Sequence, residues 1–194
     1  ALGLDVITAV YDAASEHNGM VIVDEAYAEF SLSSTKSALT LLEGRRRLIV
    51  SRTMSKAFGL AGARVGYLAA APEVTDAIRL VRLPYHLSAV TQATAIAALK
   101  NIDLLLAQVE DIKSQRDRIV ARLKELGLNP SVSDSNFVFF GGLENPHAVW
   151  EGLLEAGIIV RDNGIPGTLR VTAGTESETT AFLDHLAELL GAEK

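Results

Sequence analysis

The run Leu48-Ile49-Val50-Ser51-Arg52-Thr53-Met54-Ser55-Lys56 decides how this chain is read. Its apolar start predicts a buried strand. Its end places three hydroxyls and a primary amine on the turn that follows, and Arg64 stands eight residues beyond the lysine. A strand that closes this way can present an amine and an anion site to one small molecule. The earlier apolar run Met20-Val21-Ile22-Val23 ends in Asp24-Glu25-Ala26-Tyr27, so a second strand end offers a carboxylate and a phenol.

Around these two strand ends the pattern is α/β. Residues 5–18 predict a helix with Val6, Ile7, Val10 and Ala14 on one face and Asn18-Gly19 as its stop. Residues 20–24, 47–51 and 65–70 predict strands, with a short helix over 37–42. Strands separated by long connections favour a sheet covered by helices on both sides. Pro72-Glu73 opens a helix to Val81, Pro84 breaks the pattern, and Ser88 caps a helix to Lys100. Residues 102–126 then carry Leu105, Val109, Ile112, Ile119, Leu123 and Leu126 at alternating steps of four and three, with Arg116 in the one gap. That is a narrow apolar seam, short for a coiled coil and better suited to a helix crossing between two layers. Beyond Gly127 and Pro130 come a strand over 136–140, a helix over 146–155, strands over 158–161 and 169–172, and a closing helix over 176–190. These make a compact α/β unit of their own, with the boundary near residue 105.

The 194 residues can bury a substantial core, and 48% hydrophobic with 22% charged residues is ordinary for a globular protein. A net charge of −6 argues against a nucleic-acid partner. The dense basic run Arg45-Arg46-Arg47 precedes a strand and reads as a solvated loop. No cysteine is present, so disulfides and thiolate chemistry are excluded and an intracellular compartment is permitted. No apolar stretch approaches the roughly 20 residues of a membrane helix. His17, His86, His147 and His185 lack metal-ligand spacing, and no metal is expected. Neither a phosphate-binding P-loop pattern nor a hydrolase Gly-x-Ser-x-Gly elbow occurs.

Amine, carboxylate, phenol and anion site in one pocket point to pyridoxal phosphate. Lys56 would form the imine, and Asp24 would pair with the pyridinium nitrogen so that the ring accepts electrons. Tyr27 would bond the cofactor's phenolic oxygen. Thr53, Ser55 and Arg64 would hold the phosphate, with Gly59-Leu60-Ala61-Gly62 letting the backbone come close. A free lysine is a poor nucleophile at neutral pH, so Lys56 must be desolvated or crowded by positive charge. Its small or apolar flanks and Arg64 make either effect available.

The same residues carry a family resemblance. Asp24-x-x-Tyr27 followed by Ser51-x-Thr53-x-Ser55-Lys56-x-x-Gly59-Leu60-Ala61-Gly62-x-Arg64-x-Gly66-Tyr67 resembles the cofactor region of fold-type I aminotransferases. Val23-Asp24-Glu25-Ala26-Tyr27 with Glu29-Phe30, Arg52-Thr53-Met54-Ser55-Lys56-Ala57-Phe58, Pro84-Tyr85-His86-Leu87-Ser88, Ile159-Val160-Arg161-Asp162 and Leu169-Arg170-Val171-Thr172 are similar to histidinol-phosphate aminotransferases. The resemblance runs through nearly the whole chain. It implies the C-terminal part of a large domain (a mostly parallel sheet with helices on both faces) over residues 1–105, and a small C-terminal α/β domain over 106–194. It implies transamination between L-histidinol phosphate and 2-oxoglutarate, giving imidazole-acetol phosphate and glutamate, by a cytoplasmic homodimer. Arg170 would bind the α-carboxylate of glutamate or the phosphate of histidinol phosphate, and Arg161 would be a second arginine at that phosphate. Because the family's first half and the asparagine- and proline-rich turn before this point are not seen here, we expect the C-terminal half of a longer polypeptide. The resemblance assigns to that other half the ring-stacking aromatic, an asparagine near the phenolic oxygen, part of the phosphate cup and a tyrosine from the neighbouring subunit. Two other readings share these residues: an aromatic amino acid aminotransferase, and a non-catalytic α/β binding module.

Overall fold

The computed structural model describes residues 1–191. The chain divides into two compact units, Ala1–Leu106 and a second from Ala107 onward. The division falls inside a long helix, α4 (Ile102–Glu125).

In the first unit a three-stranded sheet has the order β1 (Val21–Asp24), β2 (Leu48–Thr53), β3 (Gly66–Ala70). β1 and β2 run parallel, in a register that sets Val21 beside Leu48 and Asp24 beside Ser51. β2 and β3 run antiparallel, with Thr53 opposite Gly66. The sheet is therefore mixed where the resemblance implied a mostly parallel one, and the connections explain it. Segment 25–47 is long enough, with 3₁₀ turns at Ala28–Phe30 and Ala38–Leu41, to return the chain for a parallel pairing. Segment 54–65 holds only the 3₁₀ turn Ala61–Ala63 and brings the chain straight back along β2. Ile7 of α1 (Leu4–Glu16), Ala38 and Val50 are buried together, with Leu4, Val23, Leu39, Leu41 and Leu42 packed around them. Ile22, whose side chain points to the opposite face from Val23, remains 65% exposed, so the cover at β1 lies on one side among the described residues. Two helices complete the unit. α2 (Pro72–Val81) has proline at its first turn, and α3 (Ala89–Lys100) is capped by the Ser88 side chain, which accepts from Thr91 N.

The second unit has an all-antiparallel sheet of β4 (Asn129–Pro130), β5 (Phe137–Gly141) and β6 (Leu169–Thr172). Burial alternates along both longer strands. Val138 and Phe140 of β5, and Leu169 and Val171 of β6, are buried on one face. They meet Leu153 of α5 (Pro146–Glu155), Phe182, Leu183 and Leu186 of α6 (Glu176–Leu189), and Ile119 and Leu123 of α4. The Phe140 and Phe182 rings meet edge-on at 6.4 Å. α6 opens with a capping box, in which Thr175 accepts from Glu178 N while the Glu178 carboxylate accepts from Thr175 N.

Three expectations change. The predicted strand 158–161 is reduced to one bridge, Arg161 opposite Arg170, while Trp150 Nε1 donates to Val160 O and ties the segment to α5 instead. A two-residue strand, β4, forms at Asn129–Pro130, where no strand was predicted, and at a sheet edge proline costs no ladder bond. Arg116, the gap in the apolar seam, is buried at 1% exposure, with Nε donating to Asp117 and Nη1 to Ser135 O.

Candidate active site

The parallel pairing of β1 with β2 brings the two reactive strand ends side by side, the edge at which open α/β sheets hold their ligands. Asp24 and Ser51 are register partners, and Ser51 Oγ lies 3.4 Å from Asp24 Oδ1, which also accepts from Ala26 N at 3.1 Å. That second bond is an Asx turn, and it carries the chain from Asp24 towards Tyr27. Lys56 Nζ stands 5.6 Å from the centroid of the Tyr27 ring, so amine and phenol share one locality although they leave different strands.

Thr53 and Ser55 form a hydroxyl pair at the end of β2. Thr53 Oγ1 donates to Ser55 Oγ at 2.9 Å and accepts from Ser55 N at 3.1 Å. The ladder continues past β3 through Met54 N to Val65 O, so Arg64 begins beside Ser55. Arg64 adopts a left-handed backbone, φ 51°, and Nη1 donates to Ala61 O at 2.9 Å. Buried Met54, Ala57 and Phe58 anchor the turn, and Lys56 between them is exposed. Asp24 and Arg64 are also exposed, while Tyr27, Thr53 and Ser55 are half-buried.

One feature of this edge escaped the sequence. Arg52 points to the face opposite Ser51 and Thr53, where its Nε and Nη2 donate to Glu25 Oε2 at 3.1 and 2.7 Å and its Nη1 lies 3.6 Å from Glu29. Glu25 also accepts from Ser37 Oγ and from Ala38 N, at 2.8 and 2.6 Å. Burial works against the Arg52 charge. Hydrogen bonds to Glu25 and Tyr67 and the charge of Glu25 outweigh it and hold the pKa above its usual value. The pair ties the residue after Asp24 to the residue after Ser51. Both acid and arginine were present in the quoted motifs, but only the strand register shows that they meet.

Arg161 and Arg170 lie in the second unit. They are bridge partners whose backbones exchange two hydrogen bonds of 2.9 Å. Their guanidinium groups therefore start from directly opposite positions, an arrangement that like charges oppose unless an anion is shared. With Trp150, Ile159, Asp162 and Thr172 they line a cavity of ≈ 410 Å³. Arg170 sits over the Phe137 ring, 4.6 Å from its centroid, and its Nε is buried with no hydrogen-bond partner among the described residues. His147 stacks on Trp150 and lies 3.4 Å from Glu151 and 3.8 Å from Asp162. Among the described residues no group of three or more His, Asp or Glu side chains could hold a metal. No single described helix is long and apolar enough to cross a membrane; α3 and α4 pass together by length and composition but meet at a 76° bend.

An amine, a phenol, a carboxylate and a hydroxyl pair around adjacent ends of parallel strands describe a group-transfer site in an α/β fold. The chain belongs to the class I and II aminotransferase family, whose model matches residues 1–186. It is 71% identical over 97% of its length to a histidinol-phosphate aminotransferase of Paenarthrobacter aurescens and covers 51% of that protein. With the histidinol-phosphate aminotransferase of Streptomyces avermitilis it shares 58% identity, over 95% of this chain and 50% of the relative. The crystal structure of the histidinol-phosphate aminotransferase of Sinorhizobium meliloti in complex with pyridoxal-5'-phosphate superimposes with a TM-score of 0.79 at 30% identity, over 89% of this chain and 49% of that one. The chain thus spans about half the length of the curated relatives it matches.

Proposed function

We propose that this chain carries the lysine-bearing part of a pyridoxal-phosphate-dependent aminotransferase that exchanges an amino group between L-histidinol phosphate and 2-oxoglutarate, a step of histidine synthesis. The first unit is the later half of the cofactor-binding domain and the second is the small C-terminal domain. The whole enzyme is a cytoplasmic homodimer. The 71% identity to a histidinol-phosphate aminotransferase is the observation that carries the substrate assignment.

The donor set at the strand ends fits the cofactor. Pyridoxal phosphate needs an amine for its aldehyde, an acid for its ring nitrogen, a donor for its phenolic oxygen and a cradle for a dianion. Lys56, Asp24, Tyr27 and the group Thr53, Ser55 and Arg64 supply these in turn. When bound, the cofactor supplies an electron sink for the pair left behind as the substrate Cα proton departs.

The chain's own side chains do the rest. Asp24 would pair with the ring nitrogen and favour its protonated form, and the Asx turn fixes which of its oxygens is engaged by protein. Tyr27, beside Lys56, would direct the amine and bond the phenolic oxygen. In each half-reaction Lys56 Nζ would move one proton between the substrate Cα and the cofactor's C4′ carbon. Arg170 and Arg161 hold the substrate's acidic groups, a carboxylate for glutamate and a phosphate for histidinol phosphate.

Borohydride reduction of the full chain with added pyridoxal phosphate, followed by peptide mapping, is expected to label Lys56. Lys56→Ala is expected to abolish the label and to lower transamination by more than about 10²-fold. A reduced adduct on another lysine refutes the pocket. A clear preference for phenylalanine over histidinol phosphate refutes the substrate and favours an aromatic aminotransferase. Absence of any adduct favours a non-catalytic module.

A further inference from the structure

We infer that Phe137 is a positioning residue for substrate acids: its ring holds the Arg170 guanidinium in place before the substrate arrives. The inference rests on the proposed role of Arg170 and adds a residue that neither the motifs nor the charge pattern singled out.

The sheet of the second unit has one buried face and one open face. Val138, Phe140, Leu169 and Val171 point into the core, so Phe137, Phe139, Arg170 and Thr172 point the other way. The register sets Arg170 directly opposite Phe139 and Phe137 opposite Thr172, which makes Phe137 the diagonal neighbour of Arg170. A diagonal partner is within reach of a long side chain. Arg170 takes that reach, and its guanidinium carbon sits 4.6 Å from the Phe137 centroid. On its other side stands Arg161, whose like charge disfavours the alternative lean. Ring attraction on one flank and repulsion on the other fix one direction for the side chain.

A free arginine surrenders considerable rotamer freedom when it binds an acid, and a stacked one has already done so. A cation–π contact uses no N–H donor, so the guanidinium's edge is left for hydrogen bonding. Arg170 Nε is the edge atom left buried without an acceptor among the described residues, which an ionised carboxylate or phosphate oxygen satisfies. Phe137 therefore acts through Arg170, on binding and not on proton transfer.

The test uses the full chain loaded with pyridoxal phosphate and titrated by calorimetry with 2-oxoglutarate, which that form binds without turnover. Phe137→Leu is expected to weaken binding about 3- to 30-fold, the range of a desolvated cation–π contact. Phe137→Tyr, which keeps the ring, is expected to stay within about twofold of the parent. In steady state the leucine variant raises the KM for glutamate while kcat is held. If Phe137→Leu yields little folded protein, Phe137→Met fills the space without a ring and takes its place. A ringless variant that binds 2-oxoglutarate as the parent does, or that loses kcat at unchanged KM, overturns the role of Phe137 alone. A parent that neither binds 2-oxoglutarate nor transaminates overturns the proposed function as well.

Discussion

Cutting Glu25 back to alanine tests whether the two reactive strand ends are held together by a charged clamp. The carboxylate accepts two hydrogen bonds from Arg52, and others from Ser37 and Ala38 N, while the two charged side chains are only 12% and 17% exposed. A fully buried pair broken from one side costs about 3–5 kcal/mol, and an exposed pair contributes about 0–1 kcal/mol. The residual exposure and the nearby Glu29, 3.6 Å from Arg52 Nη1, pull this pair below the buried limit. We expect Glu25→Ala to cost about 2–3 kcal/mol, because it leaves a mostly dry guanidinium and an uncovered Ala38 N–H. The assay is urea unfolding of the full chain in a cycle of Glu25→Ala, Arg52→Ala and the double variant. The coupling energy should be about 1.5–3 kcal/mol, since the partners share one network. A coupling below about 0.5 kcal/mol, the value of an ordinary surface pair, refutes the clamp.

Two further perturbations follow from backbone packing and from charge. Gly66→Ala would place a Cβ 2.6 Å from Arg52 O, a backbone atom that cannot swing aside, so a loss of about 1–3 kcal/mol in denaturant unfolding is expected. Glu178 is held below the ordinary 4.5 by the Thr175 backbone N–H first and the Thr175 hydroxyl second. Its contribution to α6 is therefore fully present above that value and is lost as pH falls through the lowered folded value. Glu178→Gln should melt below the parent at neutral pH, and the gap should close in strong acid. A gap that persists there contradicts the capping assignment.

Much of the chain could be read residue by residue because its signals are local. Pro72 opens α2, Ser88 caps α3, and Asn145 with Pro146 starts α5, each acting within one turn of its own position. Signals that depend on a partner were less legible. Residues 158–161 have strand composition, yet Ile159 is left 84% exposed and pairing reaches only Arg161. At the candidate site, the residue types at the two strand ends were visible in order. The meeting of Glu25 with Arg52 was not, because it exists only once Asp24 is in register with Ser51. Arg116 likewise looked like a lapse in an apolar seam, when its place is set by Ser135, nineteen residues away.

β2 divides its work between its two sides. Ser51 and Thr53 face Asp24 and Ser55 on the side of the proposed ligand edge, and Arg52 between them faces Glu25. Loss of a single codon within this strand is therefore a different lesion from loss of one in the loop beyond it. A deletion in β2 shifts everything downstream by one step, which turns the arginine towards the cofactor side and the hydroxyls towards Glu25. In the loop the same deletion leaves the register of Thr53 with Gly66 intact and alters the closure entropy by well under about 1 kcal/mol, so its effect falls on the placing of Ser55, Lys56 and Arg64 and not on the sheet. Reading-frame-preserving indels should accordingly be purged from 48–53 through lost geometry, with folding and chemistry failing together.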